Sequence, residues 1–278
     1  MKLRTYSKFK IFILISLILI IIIYLIIYNN TDFRYILIDE INNKLLFTNK
    51  NNIYESILTP NLIINGEKDN KEIISTTPLV YIYNTHQTEG YDYKKLDHSV
   101  KPTVLYASYI LKEYLGDLGI ASIVESASIK EYLTKHNLDY TGSYDASRYY
   151  AKNKLSSNKE IIYLIDLHRD SASYKNTLYE KDNKKYARIM FVISTKHRNY
   201  EKNLTFAKSL NNKLEERYKG ISRGIYERKD VIFNQDLSDK AILIELGGVD
   251  NTLEEINNTL EIIAKLIYED INNEEEKK

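Results

Sequence analysis

The hydrophobic pattern divides the chain into three unlike stretches. Residues 11–28 read IFILISLILIIIIYLIIY, eighteen positions without a charge. At ~1.5 Å per residue they make a helix of ~27 Å, close to the ~30 Å hydrocarbon core of a bilayer. Lys2, Arg4, Lys8 and Lys10 precede the run and the next cation is Arg34. The expectation is therefore a basic cytoplasmic stub (1–10), one transmembrane helix (11–28) and everything after it outside the cytoplasm. The run ends YNNTDFRY, without the small-residue pair of a signal-peptide cleavage site, which favours an uncleaved anchor. Residues 29–75 lose the pattern. Two short apolar runs stand among Asn, Asp and Lys, and NGEKDNKE (65–72) is turn-rich, so the region reads as a juxtamembrane spacer.

From residue 76 the texture is that of a folded domain, expected over 76–270 with a solvated tail at 271–278. LVYIY (79–83), Ile120–Val124, IIYLIDL (161–167), YARIMFVIS (186–194) and AILIEL (241–246) are short and apolar, hence buried strands. Helical spacing runs over Thr103–Leu118, Ala146–Leu155, Tyr200–Tyr218 and Leu253–Ile267. Gly119 and Gly220 stop two of these helices. Thr252 and Glu255 have the spacing of a capping box before the last one. Strands that alternate with helices and are apolar on both faces predict an α/β domain: a mostly parallel central sheet with helices on both faces.

Composition narrows the chemistry. The 278 residues are 44% hydrophobic and 28% charged, compatible with a packed core. With four of the 39 basic residues in the stub, the remainder carries 35 against 38 acidic groups. A mildly acidic body argues against nucleic acid as a partner. There is no cysteine, so disulfides, thiolate metal sites and thiol nucleophiles are excluded. His and carboxylates are left as metal ligands, and there are five His.

Ligands of open α/β sheets bind beyond the carboxyl ends of the strands. The first strand is followed by Asn84-Thr85-His86-Gln87-Thr88-Glu89, the third by His168-Arg169-Asp170, and the fifth carries Glu245 before Leu246-Gly247-Gly248. On one sheet edge His86, Glu89, His168 and Glu245 can converge. Two imidazoles and a carboxylate make a His₂Glu zinc site with a position open for water. Glu245 is then the carboxylate that takes the water's proton and returns it. Gly247 and Gly248 would let a substrate backbone come close. Plainer readings exist for each: a surface histidine, a chance HxxE, an ordinary Arg169–Asp170 ion pair. Glu245 and Asp166 resist them, because a carboxylate buried in an apolar strand needs a partner. Asp166 reads as a group that orients an imidazole. His98 could face the same edge, while His136 and His197 read as exposed. SYDASR (143–148), with Tyr144 and Arg148, is either a helix start capped by Asp145 or a substrate-contacting loop. There is no GxSxG elbow and no phosphate-binding glycine loop.

YIYNTHQTEGY (81–91), GSYDASR (142–148), IIYLIDLHRDSA (161–172), YARIMFVIS (186–194) and NQDLSDKAILIELGGVDNTLEE (234–255) together resemble the stage II sporulation protein P family, in motif order over roughly 75–270. The resemblance implies a membrane-anchored peptidoglycan hydrolase in the mother-cell membrane facing the engulfing septum. Its activity would be that of an N-acetylmuramoyl-L-alanine amidase, with endopeptidase activity on cross-links. Stage II sporulation proteins D and M would be partners. A more distant similarity to zinc amidases matches His86 and His168 to the two His ligands of Zn²⁺ and Glu245 to the catalytic Glu. Their carboxylate ligand comes from a helix later in the chain; here Glu89 takes that place. Arg169 would help stabilise the oxyanion, and Tyr144, Arg148, Gly247 and Gly248 would meet substrate. The family motif commonly reads HTH where this chain has Asn84-Thr85-His86, so the second His is taken as the ligand. Two other functions stay open: a wall-binding scaffold with a degenerate site, and a carboxypeptidase or endopeptidase cutting only peptide bonds.

Overall fold

The computed structural model describes residues 77–92 and 102–275. The basic stub 1–10, the expected membrane helix 11–28, the spacer 29–75 and His98 lie outside them. Among the described residues no helix is long and apolar enough to cross a membrane.

In chain order the elements are β1 (Val80–Tyr83), α1 (Val104–Asp117), β2 (Ser122–Val124), α2 (Ile129–Lys135), α3 (Ser143–Ser157), β3 (Tyr163–Asp170), a single turn α4 (Tyr174–Thr177), β4 (Leu178–Lys181), β5 (Lys184–Ala187), β6 (Ile189–Ser194), α5 (Tyr200–Arg217), β7 (Ser222–Arg228), β8 (Lys240–Gly248) and α6 (Leu253–Glu275). Short 3₁₀ turns sit at Tyr140–Gly142 and Gln235–Leu237. Six strands form one sheet in the order β2-β1-β3-β8-β6-β7. The pairings β1–β2, β1–β3, β3–β8 and β6–β7 are parallel. Alternation along the strands puts Tyr81, Tyr83 and Leu164 against Ala151 and Leu155 of α3 on one face. On the other face Tyr163 meets Phe206 of α5 edge-on and donates its hydroxyl to Asp270 of α6. Helices therefore cover both faces, as the pattern of doubly apolar strands requires.

The sheet is mostly parallel, as expected; its one antiparallel pairing among the described residues is β6 against β8. The link from β3 to β6 holds only α4 and the β4–β5 hairpin, with no helix long enough to carry the chain back across the sheet, so β6 starts at the edge where β3 ends. YARIMFVIS is not one strand; it breaks at Arg188, whose N–H goes to Thr177 O, and its two parts join different sheets. β7, α2 and the β4–β5 hairpin were not anticipated. The SYDASR segment is helical from Ser143, with Gly142 at the cap position and Asp145 inside the first turn. The final helix runs to Glu275, into the stretch expected to be a solvated tail. Its start is the expected capping box: Thr252 N–H to Glu255 Oε2 (3.0 Å) and Glu255 N–H to Thr252 Oγ1 (3.3 Å).

Candidate active site

β1 ends at Tyr83 and the chain turns at once, with Glu89 N–H bonded to His86 O (3.0 Å). Asn84, at the root of the turn, is buried and internally satisfied: Nδ2 donates to Leu167 O (2.6 Å) and Oδ1 accepts from Ser108 Oγ (3.0 Å). It ties β1 to β3 beside His168 and is not presented as a ligand. Thr85 seizes the Asp166 carboxylate with its N–H on Oδ1 (2.9 Å) and its hydroxyl on Oδ2 (2.7 Å). His86 and Glu89, three residues apart, then project over the end of β3.

His168 belongs to β3 itself and sits in register beside Glu245 of β8. The His86 and His168 rings are 5.2 Å apart and nearly perpendicular (88°). His168 Nδ1 is 3.7 Å from Glu89 Oε2, and Nε2 is 2.9 Å from Asp166 Oδ1, off the hydrogen-bonding direction. Tyr140, 60% exposed, stacks on His86 (4.6 Å, 15°), and Tyr144 from α3 meets His86 edge-on (5.8 Å).

Burial and the charge of His168 push His86 down to about 4, so its imidazole is neutral at physiological pH. Burial also pulls His168 down, but Asp166, Glu245 and Glu89 outweigh it and raise it to about 9. Burial raises Glu245 to about 7 against the opposing pull of His168, with Glu89 and Asp170 adding to the rise. Glu89 is raised by burial as well. A carboxyl group poised near neutrality beside two imidazoles is equipped to take and return a proton.

Among the described residues no three His, Asp or Glu side chains already stand as a closed metal-binding group. The donor set nonetheless fits a zinc-like ion. His86 Nδ1 and Glu245 Oε2 are buried with no hydrogen-bond partner. Ligand atoms around one tetrahedral zinc at ~2.0–2.1 Å are roughly 3.3 Å apart. The His168 Nδ1 to Glu89 Oε2 separation of 3.7 Å is a few tenths of an ångström wider.

Other expected site residues are placed differently. Arg169 reaches Glu89 through its backbone, N–H to Oε2 at 2.9 Å, while its Nη1 donates to Asp170 O (3.1 Å). The Asp170 carboxylate pairs with Arg223 of β7, not with its neighbour. Arg148 is committed to Asp236 in a two-pronged pair (2.7 and 2.6 Å). Gly247 and Gly248 are buried against the chain's own atoms. A Cβ on Gly247, where φ is +64°, would meet Asn251, Ala187 and Ile256 at 2.8–3.0 Å, and one on Gly248 would lie 2.6 Å from Ala172 O. Both glycines serve the chain's own packing. His136 is exposed against Tyr132; His197 is half-buried, not exposed. Tyr140 and Asn234 border the site without having been anticipated, in polar sequence that resembles any surface loop; Ser147 lies in the SYDASR segment but was not singled out within it.

These features define an α/β domain that gathers two imidazoles and two carboxylates at the carboxyl edge of its parallel strands. The chain belongs to the stage II sporulation protein P family, whose model, "Stage II sporulation protein P (SpoIIP)", matches residues 39–268. Stage II sporulation protein P of Bacillus subtilis (strain 168) is 37% identical over 218 residues, covering 74% of this chain and 54% of that protein. The chain thus spans about half the length of this curated relative. Among solved structures, the CwlD amidase from Clostridioides difficile in complex with the GerS lipoprotein is 17% identical with a TM-score of 0.45, covering 72% of this chain and 99% of that one. Cwp6 from Clostridium difficile is 15% identical with a TM-score of 0.41, covering 70% and 30%.

Proposed function

We propose that this protein is a peptidoglycan hydrolase of sporulation: a zinc-dependent N-acetylmuramoyl-L-alanine amidase that cuts the amide joining the glycan's lactyl group to the stem peptide. One observation carries the reading. His86, Glu89, His168 and Glu245, remote in sequence, meet at one sheet edge, and three of their buried polar atoms lack a hydrogen-bond partner. Membership of the family supports the sporulation setting, and the wall substrate is what the resemblance to that family implies.

His86, Glu89 and His168 would hold the ion. When bound, it supplies Lewis acidity for the scissile carbonyl and lowers the pKa of water from ~15.7 toward ~7. Glu245 accepts the proton of the attacking water and delivers it to the leaving amine. Asp166 and Thr85 hold His168 in place, and the Arg169 N–H holds Glu89. The Arg169 guanidinium would in addition help stabilise the oxyanion. Tyr140 and Tyr144 pack on His86 and wall that side of the site.

The anchor at 11–28 would confine the enzyme to wall next to the mother-cell membrane and raise its effective concentration there. Stage II sporulation proteins D and M are the partners expected in that setting. The test is digestion of purified peptidoglycan by the full chain, with mass spectrometry of the products. Intact stem peptides and bare glycan are expected. Release of cleaved peptides alone would make it a peptidase, and no release with normal wall binding would make it a scaffold.

A further inference from the structure

Thr85, Ser147 and Asn234 join three separate parts of the fold: the turn after β1, helix α3 and the loop between β7 and β8. Asn234 Nδ2 is 2.9 Å from Ser147 Oγ, Ser147 Oγ is 2.9 Å from Thr85 Oγ1, and Thr85 Oγ1 is 2.7 Å from Asp166 Oδ2. Asp166 Oδ1 lies 2.9 Å from His168 Nε2, an ion-pair contact off the hydrogen-bonding direction. Elementary donor and acceptor rules orient this row. A carboxylate only accepts, so Thr85 gives Asp166 its single proton. Thr85 Oγ1 must then accept, and Ser147 gives it its proton over the shorter path, 2.9 Å against 3.3 Å to Tyr144 O. The amide NH₂ of Asn234 only donates, and it closes the row at Ser147.

The far end is itself anchored. Arg148 Nη1 points at Asn234 Oδ1 (3.4 Å) while Asp236 grips the same guanidinium, which fixes which way the Asn234 amide faces. Asn234 and Phe233 both have left-handed backbones, φ 57° and 56°. Asn tolerates that region; Phe does not, and is kept there by packing. The Phe233 ring meets Tyr144 (5.5 Å) and lies beneath Arg228 (5.9 Å). The loop holds an unfavourable backbone and in doing so delivers the Asn234 amide to Ser147.

We propose that Asn234, Ser147 and Thr85 are positioning residues. They form a one-way row of hydrogen bonds that pins both oxygens of Asp166, so that His168 keeps Nε2 against Asp166 and turns Nδ1 toward Glu89. The use made of Nδ1 rests on the zinc reading of the site; the pinning of His168 does not. A packing role alone would ask only for side chains of this size. The row asks for hydroxyls in two consecutive places, and for effects that depend on one another.

The experiment uses the full chain in detergent micelles, labelled with ¹⁵N-histidine and freed of metal, as wild type, Thr85→Val, Thr85→Ser, Ser147→Ala and the Thr85→Val/Ser147→Ala double variant. The first readout is the exchange of the His168 Nε2 proton with water. The second is zinc affinity by chelator competition. Thr85→Val and Ser147→Ala should each speed the exchange and weaken zinc binding by about 10–100-fold. Thr85→Ser should stay near wild type, and Ser147→Ala should add nothing once Thr85 is Val. Exchange unchanged in Ser147→Ala, independent effects in the double variant, or Thr85→Ser behaving as Thr85→Val would overturn the proposal. Thr85→Ser and Ser147→Ala decide the matter even if Thr85→Val does not fold. The exchange measurement needs neither metal nor substrate. A wild type that fails to cut the lactyl amide therefore refutes the amidase reading, while the exchange rates alone decide whether the row pins His168.

Discussion

His168 and Glu245 are register partners on the adjacent parallel strands β3 and β8. Paired residues of neighbouring strands put their side chains on the same sheet face, a few ångströms apart. An imidazole and a carboxylate separated by 77 positions in sequence are thereby held side by side by backbone hydrogen bonds, not by a flexible loop. Each changes the other: the pull of His168 restrains the rise of Glu245, and Glu245 helps raise His168 to about 9. Such rigidity suits groups that must handle one proton repeatedly.

Removing the metal should remove activity reversibly. After dialysis against a strong zinc chelator the protein should release no wall fragments, and stoichiometric zinc should restore release. His168→Ala should lack zinc by elemental analysis and stay inactive on readdition. Undiminished wall cleavage by the chelated protein would show that the ion is not needed.

Gly248→Ala should act on stability, not on substrate affinity. The added Cβ would sit 2.6 Å from Ala172 O, a backbone atom that cannot swing aside. Overpacking of this kind costs about 1–3 kcal/mol. The thermal midpoint should fall, while KM for soluble muropeptides measured below the transition should be unchanged. A raised KM with an unshifted midpoint would return Gly248 to the substrate surface.

How far the sequence foretold this site depends on burial. IIYLIDL and AILIEL were legible because strands covered on both faces are apolar at nearly every position, which made Asp166 and Glu245 conspicuous. His86, Glu89 and His168 followed from the rule that sites lie beyond strand carboxyl ends. β7 was hidden because SRGIYER is an edge strand with mostly half-exposed residues, and its pattern is no different from a loop. The reversal of β6 was hidden too, since strand direction is set by the length of the connection, not by the strand's own residues. Arg148 carries no mark of its partner Asp236, 88 positions away. Nothing local told Ser147 and Asn234 from ordinary cap and turn residues.

Acid should selectively weaken the Arg148–Asp236 contact. The Arg148 guanidinium holds Asp236 below its ordinary value of 3.8. A carboxyl group depressed on folding stabilises the fold above its unfolded pKa and loses that contribution as pH falls through the lower folded value. Urea unfolding at pH ~7 should therefore show Asp236→Asn less stable than wild type, and the gap should close in the acid range below ~4. A gap that persists unchanged in acid would assign the loss to something other than this charge.

Glu245→Gln separates proton transfer from everything else Glu245 does. The amide keeps the size and most of the polarity of the carboxylate, so the strand register with His168 and the packing against Met190 should survive. It cannot take a proton from water. If His86, Glu89 and His168 are sufficient to hold zinc, the variant should contain zinc at the wild-type ratio. Loss of a positioned general base and acid costs about 10²–10⁴-fold in rate, and the deficit should lie in kcat, with KM nearly unchanged, because the ground-state complex loses no contact. Elemental analysis beside fragment-release kinetics gives both numbers on one preparation. Full turnover in this variant would remove Glu245 from the reaction; loss of zinc together with turnover would make it a ligand and leave the proton to another group.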